Sequence, residues 1–384
     1  MKIEKAINLD DIRTMAKRRI PRIAFDFIDG GVDAEEGLLW NEQAFRRYSL
    51  IPRYCVGAPK RDQSVTLFGQ TYSSPFGFCP MGLLGLFRQN ADLMLAEAAA
   101  TANVPYVMST FSNASLEDVV KIAPKNTWFQ IYTTRDQAIT FDLVRRAREA
   151  GVQNLVITVD VPVSVRRERN MRNGFSRPFR LTPAVALEAM AHPQWVYSYL
   201  KNGGLPMMGN VAPYAKAGAS ADEVADVFGT QTPNTEQNWT LIESIRKEWP
   251  NNLIIKGLLH KDDAAHAVSA GADGLLVSNH GGRQLDRAPA PIEMLAEIRT
   301  AIGPDIAIIV DSGIRCGADI ITARCLGAKM GFIGRPAIFG AVAGGVEGVA
   351  KVVAILRDQI DTVLGQIGCA RFEDLSADVL RSRH

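Results

Sequence analysis

The sequence predicts an α/β fold, a (β/α)8 TIM barrel with an N-terminal helical cap and a long insertion after the fourth strand. From residue 73 onward, short apolar runs alternate with amphipathic helical segments, as expected for parallel strands that are covered on both faces. There are eight such runs, which is the number that closes a barrel. Polar side chains follow seven of the eight runs, where the carboxyl ends of barrel strands share one pocket.

The N-terminal part, residues 1–72, is predicted to form a cap that precedes the barrel. Asn8 is a candidate N-cap for the first helix, and Pro21 would end that helix. Residues 24–31 are rich in aromatic side chains and end in two glycines. We expect a single domain over residues 1–384, with the barrel itself over 73–375.

The barrel is predicted from its strands and helices in order. The strands are residues 76–79, 105–108, 128–132, 155–160, 253–256, 274–278, 306–311 and 331–334, with helices at 91–101, 142–150 and 262–270. An open doubly wound sheet is the alternative, but the G-x-G-x-x-G that usually follows its first strand is missing.

An insertion at residues 165–240 interrupts this regular spacing. It begins rich in arginine and continues through aromatic side chains and methionines: Arg166, Arg167, Arg169, Arg172, Arg177, Arg180, Trp195, Tyr197, Tyr199, Met207 and Met208. Loops of this length are usually functional or disordered. The mixture suits an anionic membrane surface, contacted through residues 176–215. A lid or an oligomer contact that buries the aromatic side chains is the alternative.

Composition limits the class of protein. The 384 residues carry a formal net charge of +2, which gives no reason to expect nucleic acid as a partner. The five cysteines are scattered, so we expect a reducing compartment, no structural disulfides and no metal site. The first residues lack the apolar core of a signal peptide. The expected location is cytoplasmic, with peripheral attachment to the inner face of the plasma membrane left open.

The segment 278–286 carries the strongest sign of chemistry. It contains the sequence SNHGGRQLD and follows a short apolar run, so it is a loop at the end of a buried strand. His280 and Arg283 are separated by two glycines, which places a proton acceptor beside a fixed positive charge that can hold a substrate carboxylate. Asp160, at the end of the fourth strand, could orient His280 or could cap a helix.

Two further strand ends suggest a phosphorylated ligand. Residues 311–315 and Gly334 with Arg335 combine glycines with arginines at the last two strands, where barrels commonly bind phosphate. Two tight turns with solvated arginines are the alternative.

Lys256 ends an apolar strand, so it could lie near a cofactor, act as a Schiff-base amine, or form a salt bridge with a neighbouring carboxylate.

Five segments in the same order carry a resemblance to a known family. They are residues 128–132 (WFQIY), 158–160 (TVD), 255–257 (IKG), 278–286 (SNHGGRQLD) and 311–315 (DSGIR). With these segments the sequence resembles the FMN-dependent 2-hydroxy acid oxidases and dehydrogenases, which include glycolate and lactate oxidases and flavin-type lactate dehydrogenases. The resemblance extends over residues 5–375 and is strongest to the (S)-mandelate dehydrogenase branch.

The resemblance implies bound FMN and oxidation of an (S)-2-hydroxy acid to the 2-oxo acid, with lactate or a larger, mandelate-like acid as substrate. It implies a quinone or oxygen as electron acceptor, and a homotetramer. His280 would be the base, paired with Asp160, while Arg167 and Arg283 bind the substrate carboxylate and Tyr132 its oxygen. The implied FMN contacts are Pro80, Met81, Gly82, Ser109, Gln130, Thr158, Lys256, Ser278, Asp311, Ser312, Gly313, Ile314, Arg315, Gly334 and Arg335.

One position departs from the family pattern. The family usually has a tyrosine where this chain has Phe25, and the tyrosine hydroxyl helps to hold the substrate carboxylate. We therefore expect a weaker hold on simple hydroxy acids, or a different substrate head group. Two alternatives stay open at this point: a Schiff-base barrel aldolase that uses Lys256, and a non-catalytic flavin-binding relative.

Overall fold

The computed structural model describes residues 2–175 and 182–383. The N-terminal cap contains the helices α1 (Leu9–Lys17), α2 (Arg22–Asp29) and α3 (Glu36–Phe45). It also contains the short strands β1 (Tyr48–Leu50), β2 (Val65–Leu67) and β3 (Gln70–Tyr72), of which β2 and β3 pair as an antiparallel ribbon. Asn8 caps α1 as predicted, since its side chain accepts a hydrogen bond from the Asp11 amide at 2.8 Å.

Eight parallel strands close into a barrel, so the predicted fold class is confirmed. They are β4 (Phe76–Phe78), β5 (Tyr106–Ser109), β6 (Thr127–Tyr132), β7 (Asn154–Thr158), β8 (Asn252–Leu258), β9 (Gly274–Val277), β10 (Ala307–Val310) and β11 (Met330–Ile333). They follow one another around the barrel in chain order, and β11 pairs with β4 to complete the ring. That pairing excludes the open sheet.

Helices surround the barrel, and four of them belong to the insertion after β7. The helices are α4 (Ala91–Ala102), α5 (Leu116–Ile122), α6 (Gln137–Glu149), α7 (Glu168–Arg172), α8 (Pro183–Met190), α9 (Pro193–Lys201), α10 (Ala221–Gln231), α11 (Trp239–Glu248), α12 (Lys261–Ser269), α13 (Pro291–Ile302), α14 (Gly317–Cys325) and α15 (Arg335–Gln366). The helix expected at 142–150 begins earlier, because the Asp136 side chain caps it by accepting from the Ala138 amide.

The last long helix, α15, packs against the cap. It bends at Gly345, where φ is +63°, and its two parts lie against α1 and α4. Among the described residues it is the one helix with the length and apolar content of a membrane span, but most of its apolar stretch is buried inside the protein. A final strand, β12 (Leu380–Ser382), pairs antiparallel with β1 and so joins the C-terminal end to the cap.

The insertion between β7 and β8 has two parts with different surroundings. The proximal part contains α7, α8 and α9, and α8 and α9 present apolar side chains to the exterior. The distal part contains α10 and forms a small apolar cluster of its own: Met208, Val211, Val224, Ala225 and Phe228. Residues 176–181, which belong to the predicted membrane contact, lie outside the described residues.

Candidate active site

The loop after β9 has a backbone that requires its two glycines. His280, Gly281 and Gly282 all have positive φ, at +58°, +68° and +70°. A Cβ at Gly282 would lie 2.6 Å from the Leu38 amide nitrogen, and one at Gly281 would lie 2.8 Å from an Arg335 guanidinium nitrogen. The glycines therefore let α3 and Arg335 approach the loop directly, and this contact fixes the direction of the His280 side chain.

His280 lies between Asp160 and Tyr132. Its Nδ1 is 2.9 Å from Asp160 Oδ1, and its Nε2 is 3.5 Å from the Tyr132 hydroxyl. The Ser278 hydroxyl accepts a hydrogen bond from the His280 amide at 3.0 Å. Asp160 thus fixes one ring nitrogen, so the other nitrogen faces the pocket beside Tyr132, as a general base requires.

The surroundings of this pair favour a neutral imidazole in the resting enzyme. Burial lowers the pKa of His280 below its usual value, and the positive charge of Lys256 adds to this effect, while Asp160 opposes it. The pKa of Asp160 is lowered: burial opposes ionisation, but His280 and Lys256 outweigh it. The result is an ionised Asp160 next to a neutral base.

Lys256 is buried between two carboxylates. Its Nζ lies 3.6 Å from Asp160 Oδ2 and 4.0 Å from Asp311 Oδ2, and it donates to the Ser278 hydroxyl at 3.1 Å. Burial favours the neutral amine, but the two carboxylates outweigh it and raise the pKa of Lys256. The side chain is therefore an ammonium, which disfavours the aldolase alternative because a Schiff base requires the free amine.

Arg167 and Arg283 both lie beside Phe27, and we call this pair of positive charges the arginine clamp. Their guanidinium carbons lie 5.7 Å and 5.1 Å from the centre of the Phe27 ring. Arg283 Nη1 donates to the carbonyls of Phe27 and Gly30 at 2.8 and 2.7 Å. Arg167 Nε is buried and, among the described residues, has no hydrogen-bond partner. Burial lowers the pKa of both groups. A carboxylate bound between them would offset the cost of burying two like charges.

The expectation that Phe25 lines the substrate site is corrected by the structure. Phe25 is 2% exposed and stacks on Phe339 at 5.7 Å, with the side chains of Arg13 and Lys17 over its ring. Residues two apart on a helix differ by about 200° in direction, so Phe25 and Phe27 face opposite sides of α2. Phe27 is the aromatic residue at the arginine clamp.

The strand register arranges the predicted flavin-ring contacts and Tyr132 in two neighbouring rows. Ser109 pairs with Gln130, while Tyr132, Thr158 and Lys256 lie side by side on β6, β7 and β8. The Ser109 hydroxyl donates to Gln130 Oε1 at 3.1 Å. Gln130 Nε2 and Thr158 Oγ1 are buried without a partner among the described residues. Such orphaned donors fit the polar edge of a bound flavin, since buried polar groups are normally paired.

The predicted phosphate end lies at β10 and β11. The Ser312 hydroxyl donates to Asp311 Oδ1 at 2.8 Å and accepts from the Gly281 amide at 3.0 Å. Three of the five N–H groups of Arg335 donate to backbone carbonyls, those of Ile28, Gly30 and Gly281. Two N–H groups are left for an anion, together with Arg315, whose Nη2 is 2.9 Å from Glu42. Burial lowers the pKa of Arg335 to about 10.

The remaining predicted contacts also lie at this end of the barrel. Residues 80–82 follow β4, and Gly334 leaves room for the Met81 sulfur, which would lie 3.7 Å from a Cβ there. Gly313 has a φ of +90°, and a Cβ on it would lie 2.1 Å from the Asn41 carbonyl oxygen. Ile314 is buried under the same turn. These residues supply space and backbone groups rather than side-chain donors.

Sequence reasoning missed several residues of the site. Cys79 donates from Sγ to Asp311 Oδ2 at 3.5 Å. Asn279 is buried and bonds to the Asn41 side chain at 2.6 Å, which ties the loop to α3. Phe111 packs on the Tyr132 ring. Only Asn279 had a signal in the sequence, as a polar residue next to the predicted base.

Comparison with known proteins identifies the family. The family model described as FMN-dependent dehydrogenase matches residues 16–382. The chain belongs to this family. It is 34% identical to an (S)-mandelate dehydrogenase of Pseudomonas putida, over 99% of this chain and 95% of the relative. It is 36% identical to a 4-hydroxymandelate oxidase of Amycolatopsis orientalis, over 94% of this chain and 95% of that relative.

A solved structure supports the same assignment. The crystal structure of a monotopic membrane protein, (S)-mandelate dehydrogenase, superposes with a TM-score of 0.94 at 35% identity, covering 99% of this chain and 100% of the other. The protein is therefore an FMN-dependent oxidoreductase that acts on 2-hydroxy acids. The predicted cofactor is confirmed, and the orphaned donors at Gln130 and Thr158 fit it.

Proposed function

We propose that this enzyme converts an (S)-2-hydroxy acid, preferably one with an aromatic or large side chain, into the 2-oxo acid, with His280 as the base. The observation that carries the proposal is the row formed by Asp160, His280 and Tyr132, with the two-arginine clamp close by. It supplies a base, a donor for the substrate oxygen and a site for the carboxylate. FMN, when bound, accepts the two electrons that leave the substrate.

Each side chain has a separate task in this proposal. Arg167 and Arg283 hold the carboxylate, which orients the hydroxyl-bearing carbon. The Tyr132 hydroxyl donates to the substrate oxygen, and burial raises the pKa of Tyr132 to about 12, so it stays a donor at neutral pH. His280 Nε2 accepts the proton that leaves the substrate, and Asp160 stabilises the imidazolium that results.

The test is anaerobic mixing of the FMN-loaded protein with (S)- and (R)-mandelate, lactate and longer 2-hydroxy acids. We expect the flavin absorbance to bleach with (S)-acids, fastest with the aromatic one. His280→Gln should abolish bleaching while FMN stays bound, whereas His266→Gln, on α12, should leave it unchanged. Lack of bleaching of the wild-type protein by every acid would refute the proposal and favour a non-catalytic flavin protein.

We also propose peripheral membrane attachment through the proximal part of the insertion. Leu187, Met190, Tyr197 and Leu200 are 67%, 69%, 66% and 68% exposed on α8 and α9. Exposed apolar clusters of this kind mark interaction surfaces. The matched structure of a relative is described as a monotopic membrane protein, which supports the proposal. A membrane position suits a quinone as the electron acceptor in preference to oxygen.

Vesicle flotation tests this attachment. The protein should float with vesicles that contain anionic phospholipid, and a variant with Leu187→Ser and Leu200→Ser should stay in the dense fraction. Ile7→Ser is the matched control, because Ile7 is 79% exposed but lies on the cap. Equal flotation of all three proteins would contradict the assignment of this surface.

A further inference from the structure

We propose that Phe228, in the distal part of the insertion, is a positioning residue for Tyr132 and acts through Phe111. The proposal rests on the role of Tyr132 given above. It makes α10 a fixed part of the active site rather than a lid, and it assigns a task to a segment that has no direct contact with the reacting atoms.

Three aromatic rings lie in a row from α10 to the site. The rings of Phe228 and Phe111 are 4.7 Å apart at 88°, an edge-to-face arrangement. The rings of Phe111 and Tyr132 are 5.0 Å apart at 47°. Edge-to-face pairs are attractive beyond the area that they bury and prefer one geometry, so the position of one ring restricts that of the next. Phe228 is 2% exposed and packs in the apolar cluster of the distal part.

Phe111 is confined on its opposite side as well. A Cβ at Gly82 would lie 2.6 Å from the Phe111 Cβ, so the backbone at residue 82 already touches the side chain. The Phe111 carbonyl accepts from the Leu83 amide at 2.9 Å, and the Phe111 amide donates to the Ser109 hydroxyl at 3.1 Å. The backbone and Cβ of Phe111 are therefore held in place, and its ring packs against Phe228.

Hydrogen bonds fix the distal part of the insertion to the barrel, and those of the Asn210 side chain are buried. The Asn210 side chain accepts from the Leu116 amide at 2.8 Å and donates to the Ser109 carbonyl at 3.2 Å. Asn113 Nδ2 donates to the Met207 carbonyl at 3.0 Å. The end of α10 is fixed too, since the Gln231 carbonyl accepts from the Arg135 amide at 3.1 Å. An opening lid would break all of these bonds, which would leave buried groups unpaired.

The position of the Tyr132 ring matters because its hydroxyl is already 3.5 Å from His280 Nε2. A substrate oxygen must fit beside both atoms. Phe228→Leu opens space behind Phe111, so the Phe111 and Tyr132 rings can shift away from His280. The arginine clamp lies on other elements and keeps its geometry, so the effect should appear in kcat and not in KM.

Kinetics with (S)-mandelate provide the first test. Phe228→Leu should lower kcat by about tenfold, since small misplacements of catalytic groups are costly, and should change KM by less than about twofold. In a Tyr132→Phe background, Phe228→Leu should have no further effect on kcat. Val227→Ala is the matched control on the same helix, because Val227 is 36% exposed. An unchanged kcat, or an equal loss in the Tyr132→Phe background, overturns the proposal.

A second measurement does not depend on catalysis. The chain has eight tyrosines, and in 3-fluorotyrosine-labelled protein the Tyr132 signal is the one that Tyr132→Phe removes from the fluorine NMR spectrum. That signal should move in Phe228→Leu and stay in place in Val227→Ala. An unmoved signal overturns the positioning role even if no hydroxy acid bleaches the flavin. Phe228→Met, which keeps the volume without the ring, replaces Phe228→Leu if the latter does not fold.

Discussion

Phe27→Tyr would place a hydroxyl at the arginine clamp. The Phe27 ring lies against both guanidinium groups, and Arg283 already uses Nη1 for two backbone carbonyls. A new hydroxyl would therefore add a donor for the substrate carboxylate. Hydrogen bonds to charged groups contribute about 1.5–3 kcal/mol when buried, and Phe27 is partly exposed, so we take about 1.4 kcal/mol. That free energy corresponds to about a tenfold lower KM.

The assay is steady-state kinetics with lactate and mandelate, using a dye as electron acceptor. Phe25→Tyr is the matched control, because it adds the same hydroxyl on the opposite face of α2, against Phe339. We expect KM to fall in Phe27→Tyr and not in Phe25→Tyr, with kcat changed little in both. A lower KM in Phe25→Tyr alone would refute the assignment of Phe27 to the clamp, and equal KM values would refute the idea of a missing donor.

Three further predictions concern the buried charges. A base must be neutral to act, so kcat/KM should reach its maximum above the pKa of His280 and should fall as the pH falls through that pKa. Burial lowers the pKa of His280, so the midpoint of the pH profile should lie below the usual value of about 6.5. Asp160→Asn removes the carboxylate that opposes this shift, so the midpoint should move to still lower pH, and kcat should fall by about a hundredfold as the imidazolium loses its partner. Lys256→Met leaves Asp160 and Asp311 without their shared cation, so urea unfolding should show a loss of about 3–5 kcal/mol, and a loss below about 1 kcal/mol would contradict the charge arrangement.

The sequence was sufficient to predict the barrel and the end of the barrel at which the candidate site residues lie, because both depend on short-range patterns. Each strand is a short apolar run, and the residue that ends it faces the common pocket whatever the rest of the chain does. Thr158, Lys256 and His280 were placed by this rule alone. The rule fails where the direction of a side chain depends on how a helix packs. Phe25 and Phe27 are both aromatic, so the sequence does not distinguish them. The contact of Phe25 with Phe339 shows which side of α2 faces away from the site.

The division of the insertion could not be predicted for a related reason. Both parts contain aromatic side chains and methionines in similar proportion, so composition describes them as one segment. The distal part is fixed to the end of β5 and the loop that follows it, because Asn210 donates to the Ser109 carbonyl and Asn113 of that loop donates to the Met207 carbonyl; both are contacts between residues about 100 positions apart. Leu187 and Leu200 of the proximal part are exposed, because the bonds that hold α8 and α9, from the Arg22 amide to Glu188 at 2.7 Å and from the Trp195 indole to the Leu86 carbonyl at 3.0 Å, leave their outer face uncovered.

The positive charge at the clamp explains why the site requires an acid. The half-buried side chains of Arg167, Arg283 and Arg335 lie close together, and the charges of Arg167 and Arg335 contribute to lowering the pKa of Arg283, after burial. The carbonyls of Phe27, Ile28 and Gly30 at the carboxyl end of α2 partly offset this charge, because that end of a helix carries partial negative charge. Carbonyl dipoles do not neutralise a full positive charge, and Arg167 Nε still has no partner among the described residues. A substrate carboxylate completes both the charge and the hydrogen bonds, whereas an ester or amide of the same hydroxy acid would leave them incomplete. Selection for the free acid therefore follows from the contact between the cap and the loop after β9, in which Arg283 bonds to the carbonyls at the end of α2.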